Sequence, residues 1–458
     1  MMFLNFLLRL PPRKAALERA ELSSDAHRLK VVEDSLAKVR EGRVAIVVAG
    51  VEAFGIARFS EKLLGFGRVE YGGWSFQVKF NLKGRSPLKI VEVDALYLRL
   101  PVIERRTDSS QDALLVKVTT DAGIVGWGEV DGCPHVTKAI IDAPFSHNLV
   151  TGLRDLLIGQ DPMDISRIWE RMYQGTLYFG RDGAAIQAMA GIDLALWDIK
   201  GKALKQPVHQ LLGGAFRDSV RVYASNMFQF TPEATAERAK KAVDEGFTAV
   251  KFGWEPFGKD PKTDLTFLTA IRRAVGDERD VILDVGLVWD VKTTIRRAKL
   301  FEPMKLLWIE EPLHPDNLAG YARVVEAVDT PIAAGEEECT VAGFSRLMEI
   351  GKIDVVQIDM TRCGLTQAMK IAAAAQARGL PCINHNFTTD INTAASLHFL
   401  AAIPNAFIME YCFEPSEISR QLSRTPIEIK DGMARVPQEP GLGVEPRTEV
   451  IEKYLVRS

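Results

Sequence analysis

Cysteine is scarce in this chain of 458 residues: there are five, scattered, odd in number and never spaced C-x-x-C. That excludes a disulfide framework and marks a reduced, cytoplasmic protein whose cysteines serve as small apolar residues. Long apolar runs are missing as well. The longest, VAIVVAGVEAFGIA at 44–57, is too short to cross a bilayer and carries Glu52. No basic stretch precedes the apolar part of MMFLNFLLRLPPRK, so a secretory signal is not expected. Neither charge sign is in excess. The 57 Lys and Arg against 60 Asp and Glu leave a net charge of -3, which offers nothing to a nucleic acid or an anionic membrane surface. What remains, 47% hydrophobic and 26% charged, is ordinary globular composition with length for two or three domains.

Methionine is absent between Met2 and Met163. Residues 1–86, with a helix expected near 13–40, carry no usable motif. They stand either as an extension of unknown role or as a mis-assigned upstream start, which would place the true start near 87 at a non-methionine codon. Residues 87–130 alternate as strands, KIVEVDALYLRL and ALLVKVTTDAGIVGWGEV, with TDAG as a hairpin turn. Helical periodicity follows from about 136 to 211, so 87–215 reads as an α+β domain.

From 219 the pattern becomes a strict alternation of apolar runs and helical stretches. The runs are VRVYAS, AVKF, VILD, LLWIEE, PIAAGEE, VVQID, CINH and FIMEY, with helices expected at about 232–245, 263–275, 291–303, 316–328, 340–351, 365–379 and 391–402. Eight strands with seven helices between them predict a (β/α)7β barrel over 216–412, a modified TIM barrel without its last helix. The irregular tail, about 413–458, is expected to pack back on the first domain.

Barrel strands deliver their carboxyl-terminal residues to one face, where active sites sit. Here those residues are Lys251, Asp284, Glu310, Glu336, Asp359, His385 and Glu410, one βα unit apart and all ionisable. A lone acid after a strand is usually a helix cap, but seven in register are not. Asp284, Glu310 and Glu336, on consecutive strands, form a hard-oxygen cluster whose repulsion requires a counter-charge, which suits Mg²⁺ or Mn²⁺. Asp359 beside His385 would fix the imidazole tautomer and raise its basicity. Such a set can stabilise the enediolate left when a proton α to a carboxylate departs. In the first domain, the loops 103–110 and 131–135 are expected over the mouth. His135 could reach a substrate there, and Arg105, Arg106 or Arg181 could grip a distal carboxylate.

The motifs GIDLALWDIKGKALKQPVHQLLGG (191–214), WIEEPL (308–313), AAGEE (333–337) and NHNF (384–387) form an ordered set. Over about 87–458 the chain resembles the enolase superfamily in its mandelate racemase-like branch. The resemblance implies an α+β capping domain over a (β/α)7β barrel. It implies Asp284, Glu310 and Glu336 as Mg²⁺ ligands, Asp359–His385 as a catalytic dyad and Glu410 as a group hydrogen-bonding substrate. It also assigns Trp197 and Asp198 to packing and capping, and makes a homo-oligomer the expected assembly. The muconate cycloisomerase-like branch carries a second lysine on the sixth strand, where this chain has VVQIDM.

Three departures bear on function. The branch often has K-x-K on the second strand, but here the second slot is Gly253, which leaves room for a bulkier substrate. The common D-x-N is DVG, so Gly286 offers no amide to a substrate hydroxyl, and Gly-Gly after the sixth strand is Cys363-Gly364. Racemisation needs a base on each face of the α-carbon, whereas dehydration can use one histidine as base and then as acid. The leading expectation is a Mg²⁺-dependent dehydratase of an aldonate or aldarate, a lyase, with His385, Asp359 and Lys251 catalytic and Glu410, His135 and Arg181 on the substrate. A racemase or epimerase using Lys251 and His385, and an inactive metal-binding homologue, are the alternatives.

Overall fold

The computed structural model describes residues 88–457 apart from 415, together with the backbone of five short strands within 29–79. The chain divides into two units, Met1–Pro87 and Leu88–Ser458. In the first, β1 (Leu29–Lys30), β2 (Arg43–Val48), β3 (Phe54–Arg58), β4 (Phe66–Tyr71) and β5 (Trp74–Lys79) form an antiparallel sheet in chain order. The helix expected near 13–40 lies outside the described residues, except that Leu29–Lys30 pair as strand with Val47 and Val48.

The second unit opens with β6 (Ile90–Arg99), β7 (Asp112–Thr120) and β8 (Val125–Val130), an antiparallel sheet in that order. Its hairpin turns at Gly123, whose φ of 74° is a conformation that glycine adopts without a Cβ clash. Helices α1 (Pro134–Asp142), α2 (Ile165–Gly175) and α3 (Ala184–Leu204) follow. The long α3 is apolar nearly all round because it is wrapped on all sides. It lies against β8 through glycines: a Cβ at Gly128 would overlap the Gly191 carbonyl oxygen, and one at Gly191 would come within 2.5 Å of Val130 Cγ2. Its polar residues are ties. Asp198 accepts from the Trp127 and Leu442 backbone N–H groups, Asp193 accepts from Thr366 N, and Trp197 Nε1 donates to Thr366 Oγ1. Trp197 and Asp198 thus tie α3 to its neighbours, although Asp198, inside the helix, caps none.

Eight parallel strands then alternate with helices as the pattern predicted. They are β9 (Ser219–Met227), β10 (Ala249–Gly253), β11 (Asp280–Asp284), β12 (Leu306–Glu310), β13 (Ile332–Ala334), β14 (Val355–Asp359), β15 (Cys382–His385) and β16 (Met409–Cys412). Between them lie α4 (Pro232–Asp244), α5 (Pro261–Val275), α6 (Val291–Phe301), α7 (Leu318–Ala327), α8 (Val341–Arg346), α9 (Leu365–Gln376) and α10 (Asp390–Ala402). Thr231, Asp260, Asp290, Asn317, Thr340 and Thr389 cap six of these helices by accepting from a backbone N–H of the first turn. Neighbouring strands pair in chain order, and β16 returns beside β9. Between β15 and β16, Cys382 exchanges backbone hydrogen bonds with Asn405 and Phe407, which closes the barrel.

One apolar layer fills the interior: Tyr223, Ala249, Ile282, Trp308, Ala333, Val355, Ile383 and Ile408, one from each strand or its immediate start. The alternate residues, such as Val250, Phe252, Leu283, Ile309 and Val356, point outward into the larger core beneath the helices. The tail is less irregular than expected. A hairpin of β17 (Ile429–Lys430) and β18 (Met433–Arg435) extends the sheet beside β9, and α11 (Thr448–Tyr454) ends the chain. The tail touches the first sheet and the segment after β6: Val456 N donates to Tyr97 O and Ser416 Oγ donates to Ser110 O. No helix among the described residues is long and apolar enough to cross a membrane.

Candidate active site

Side chains along a strand alternate, so the residue two places beyond each interior residue faces inward again. From the apolar layer this gives Ser225, Lys251, Asp284, Glu310, Gly335, Gln357, His385 and Glu410, the polar floor of the barrel mouth. Glu336 and Asp359 extend it. All of the ionisable members are buried. A hollow of about 150 Å³ opens above them, lined by Lys251, Asp284, Glu336, His385 and Arg362 below and by Thr107 and Ser109 from the loop after β6.

Lys251 is the hub of the floor. Its ammonium contacts Glu310, lies 2.6 Å from Glu410 Oε1 and 3.8 Å from Asp284 Oδ2. Burial works against that charge, but Glu310 and Glu410 outweigh it and hold Lys251 protonated well above its ordinary range. Conversely, although burial opposes it, Lys251 keeps the Glu310 carboxyl below its usual value. Glu310 also accepts from Gln357 Nε2 at 3.0 Å and from Trp308 Nε1 at 3.0 Å. Asp284 is pushed well up by burial and by Glu310, and burial lifts Glu336 to about 7.

Asp359 and His385 are directly paired across β14 and β15, with His385 Nδ1 2.6 Å from Asp359 Oδ2. Asp359 also accepts from Thr361 N and Oγ1, at 2.6 and 2.5 Å, which fixes the carboxylate. With Nδ1 held there, Nε2 faces the hollow, 3.4 Å from Glu336 Oε2. Burial would lower the His385 pKa, but Glu336 and Asp359 reverse that and raise it to about 10. The imidazole is therefore oriented by one carboxylate and charged by another.

The carboxylates outnumber the cations that face them. Asp284, Glu310 and Glu410 share the single Lys251 ammonium, while Glu336 Oε2 is buried without a hydrogen-bond partner. This hard-oxygen set fits a divalent cation such as Mg²⁺. Among the described residues, however, the groups with ligand atoms all within 4.8 Å of one another are Glu311–Glu336–Glu337 and Asp131–Asp359–His385. The expected trio is not one of them; Lys251 contacts Glu310 and lies 3.8 Å from Asp284, supplying counter-charge there.

Three residues expected on the substrate stand elsewhere. Glu410 is fully buried below the hollow, with Oε1 on Lys251 and Oε2 accepting from Asn386 N. His135 lies in the first turn of α1, where Pro134 sets the helix start, edge-on to Tyr97 in an apolar hollow with Val136, Ile140 and Phe179. Arg181 lines a separate hollow with Trp169, Tyr173 and Arg346, because Cys339 Sγ donates to the neighbouring Asp182 and anchors that loop outside the mouth. Arg106 is engaged by Asp108 at 2.7 Å and Glu414 at 3.4 Å. The room expected at Gly253 is partly taken, since a Cβ there would lie 2.6 Å from Asp284 Oδ2.

Arg362 was not anticipated. It is paired with Asp131 at 2.9 Å, donates to the Glu336 carbonyl at 2.6 Å and lines the hollow. Only its position three residues past Asp359 could have signalled it. Gln357 was legible in principle, as a polar residue at an inward position of VVQID.

Two family models match the chain. Residues 89–213 match the mandelate racemase / muconate lactonizing enzyme N-terminal domain, and residues 234–450 match the enolase C-terminal domain-like model. Among curated proteins, the chain is 31% identical over 355 residues to a D-galactarolactone cycloisomerase of Agrobacterium fabrum, covering 74% of this chain and 90% of that protein. It is 32% identical over 367 residues to a D-xylonate dehydratase of Haloferax volcanii, covering 76% and 87% respectively. Among solved structures, a protein described as a predicted mandelate racemase from Rhodobacter sphaeroides superposes with a TM-score of 0.74 at 35% identity. That match covers 81% of this chain and 96% of that one.

Proposed function

Because the chain belongs to the mandelate racemase/muconate lactonizing enzyme family of the enolase superfamily, we propose that it is a divalent-metal-dependent dehydratase of an acid sugar. Enolase superfamily members generally use Mg²⁺. The single observation that carries the reading is the oriented imidazole, His385 on Asp359, beside buried carboxylates and with no second base at Gly253. The acid-sugar enzymes among the relatives support the substrate class.

Asp284, Glu310 and Glu336 would hold the cation, which supplies positive charge for the enediolate oxygens. Lys251 steadies the substrate carboxylate from the same side, and Glu410 pairs with Lys251. Once Glu336 is drawn to the cation it would no longer hold a proton on His385, and the neutral Nε2 removes the proton at C2 while Asp359 holds Nδ1–H and stabilises the imidazolium that forms. The enediolate then expels the C3 hydroxyl, which leaves as water with the proton that His385 returns. The resulting enol becomes a 2-keto-3-deoxy acid. Mass is conserved: one water leaves and no oxidant enters.

The test is purified protein with Mg²⁺, screened against a panel of aldonates and aldarates for 2-keto products. Turnover that disappears in chelator and returns with Mg²⁺ supports the reading. Absence of turnover across the panel, with the ion shown to be bound, would overturn it. Solvent deuterium entering C2 without any keto product would instead indicate the racemase alternative.

A further inference from the structure

The mouth has one wall that its proposed chemistry does not use. Gly286 has φ +62°, and a Cβ on it would lie 2.7 Å from Cε3 and 2.8 Å from Cδ2 of the Trp254 indole. Trp254 itself has φ +67°, a left-handed conformation that bulky residues rarely adopt. The two unusual backbones meet: a ring lies flat where position 286 has no side chain. Trp254 lines the same hollow as Lys251, Asp284 and His385, and it packs with Met227, Phe387 and Cys412. The segment that follows Trp254 is anchored as well. Phe257 stacks on Phe228 at 4.7 Å, Trp289 Nε1 donates to Gly258 O at 2.9 Å, and Gly258 N donates to Asp264 at 2.9 Å.

The hollow is thus two-faced. Its floor is charged, whereas the wall of Trp254, Met227 and Phe387 offers aromatic and thioether surface. A hydroxyl pressed against that wall loses water without gaining a partner, whereas a row of C–H bonds loses little and contacts the π face. Fully hydroxylated open-chain acids carry hydroxyls that cannot all turn to the floor. We propose that Trp254, seated on Gly286, is the specificity-determining platform of this site, and that it selects a sugar acid with a hydroxyl-free face, deoxygenated beyond C3. The proposal rests on the acid-sugar reading above and narrows it.

The experiment pairs each hexonate with its 6-deoxy counterpart, which keeps the C3 hydroxyl that the reaction expels. Wild type, Trp254→Phe, Trp254→Ala and Gly286→Asn are compared, with folding checked by circular dichroism. Wild type should favour the C–H-faced member by about 10- to 100-fold in kcat/KM, mostly through KM. Trp254→Phe should keep most of that ratio, whereas Trp254→Ala should bring it within about threefold of unity. Gly286→Asn, which displaces the ring, should do the same. A ratio unchanged in Trp254→Ala overturns the platform. If nothing in the panel turns over, the same ratios are read as binding affinities by calorimetry, so the acid-sugar dehydratase reading can fail while the platform is still decided.

Discussion

Two rows of side chains, one residue pair apart on the same eight strands, divide the work of this barrel. The lower row, from Tyr223 round to Ile408, is wholly apolar except for a phenol and an indole N–H. The upper row, two residues on and about 7 Å higher, carries Lys251, Asp284, Glu310, Gln357, His385 and Glu410. The rows are not insulated from each other. Trp308 reaches up to donate to Glu310, and Lys251 sits 5.9 Å from the centre of the Tyr223 ring. The apolar row lowers the local dielectric beneath the charges, which strengthens every pairing above it and makes any unpaired charge costly. Stability comes from below and chemistry from above.

The largest effect expected from breaking the upper row alone is in His385→Asn. The Asp359 carboxylate keeps its Thr361 hydrogen bonds, so the fold should survive. Removing a general base costs about 10²–10⁴-fold in turnover. Assays on the acid sugar that the wild type dehydrates, alongside a thermal melt, give the answer. A variant keeping more than a tenth of wild-type activity would remove His385 from the mechanism.

Next comes Lys251→Met, which removes the only ammonium contacting Glu310 and Glu410 among the described residues. Stranding buried carboxylates costs about 3–5 kcal/mol. Because a cation can take over that counter-charge, added Mg²⁺ should stabilise the variant more than the wild type. Urea unfolding with and without Mg²⁺ measures both terms. Equal midpoints for variant and wild type in chelator would mean that Lys251 is not the counter-ion.

The complementary break is in the lower row. Ile383 sits two residues before His385 and is fully buried. Ile383→Ala should cost about 2–5 kcal/mol through lost burial and a residual cavity. Its kcat/KM should stay within a few-fold, since no reacting group moves. If activity fell as far as in His385→Asn while stability held, the division between rows would be false.

Much of the upper row was legible because an ionisable residue at or near the end of a strand run, found on seven of the eight, leaves few other placements. VILD, VVQID and CINH put their last residue, and LLWIEE its Glu310, where the structure has it. The Asp359–His385 pairing followed from adjacency in strand order, and the structure shows those two residues as direct partners. What failed depended on tertiary reach rather than period. His135 sits in the first turn of α1, whose start Pro134 sets, and Arg181 in a loop held by the Cys339–Asp182 contact, and neither was deducible from local pattern. Gly253 read as open space, but strand register places Asp284 directly beside it. Trp254 on Gly286 needed two left-handed residues to meet, which no linear signal announces.

The smallest expected effect sharpens the comparison from outside the barrel. Glu129, the fifth residue of β8, is fully buried against the start of α10, where Oε2 accepts from Thr389 Oγ1 at 2.8 Å and from Asn392 N at 3.3 Å. Its other oxygen has no hydrogen-bond partner among the described residues, and burial pushes its pKa up to about 8. The folded state therefore holds this proton more tightly than the unfolded chain, whose ordinary value is 4.5. The stabilisation that follows is complete below about pH 4.5 and is lost as pH rises through about 8, on the order of a few kcal/mol in total. Glu129→Gln keeps the shape and removes the titration. Between pH 5 and 8 the wild type should lose more stability than the variant, measured by urea unfolding at each pH in chelator. Parallel pH profiles would show that Glu129 is already ionised and paired, so that burial beside the polar floor would not by itself hold a carboxyl neutral.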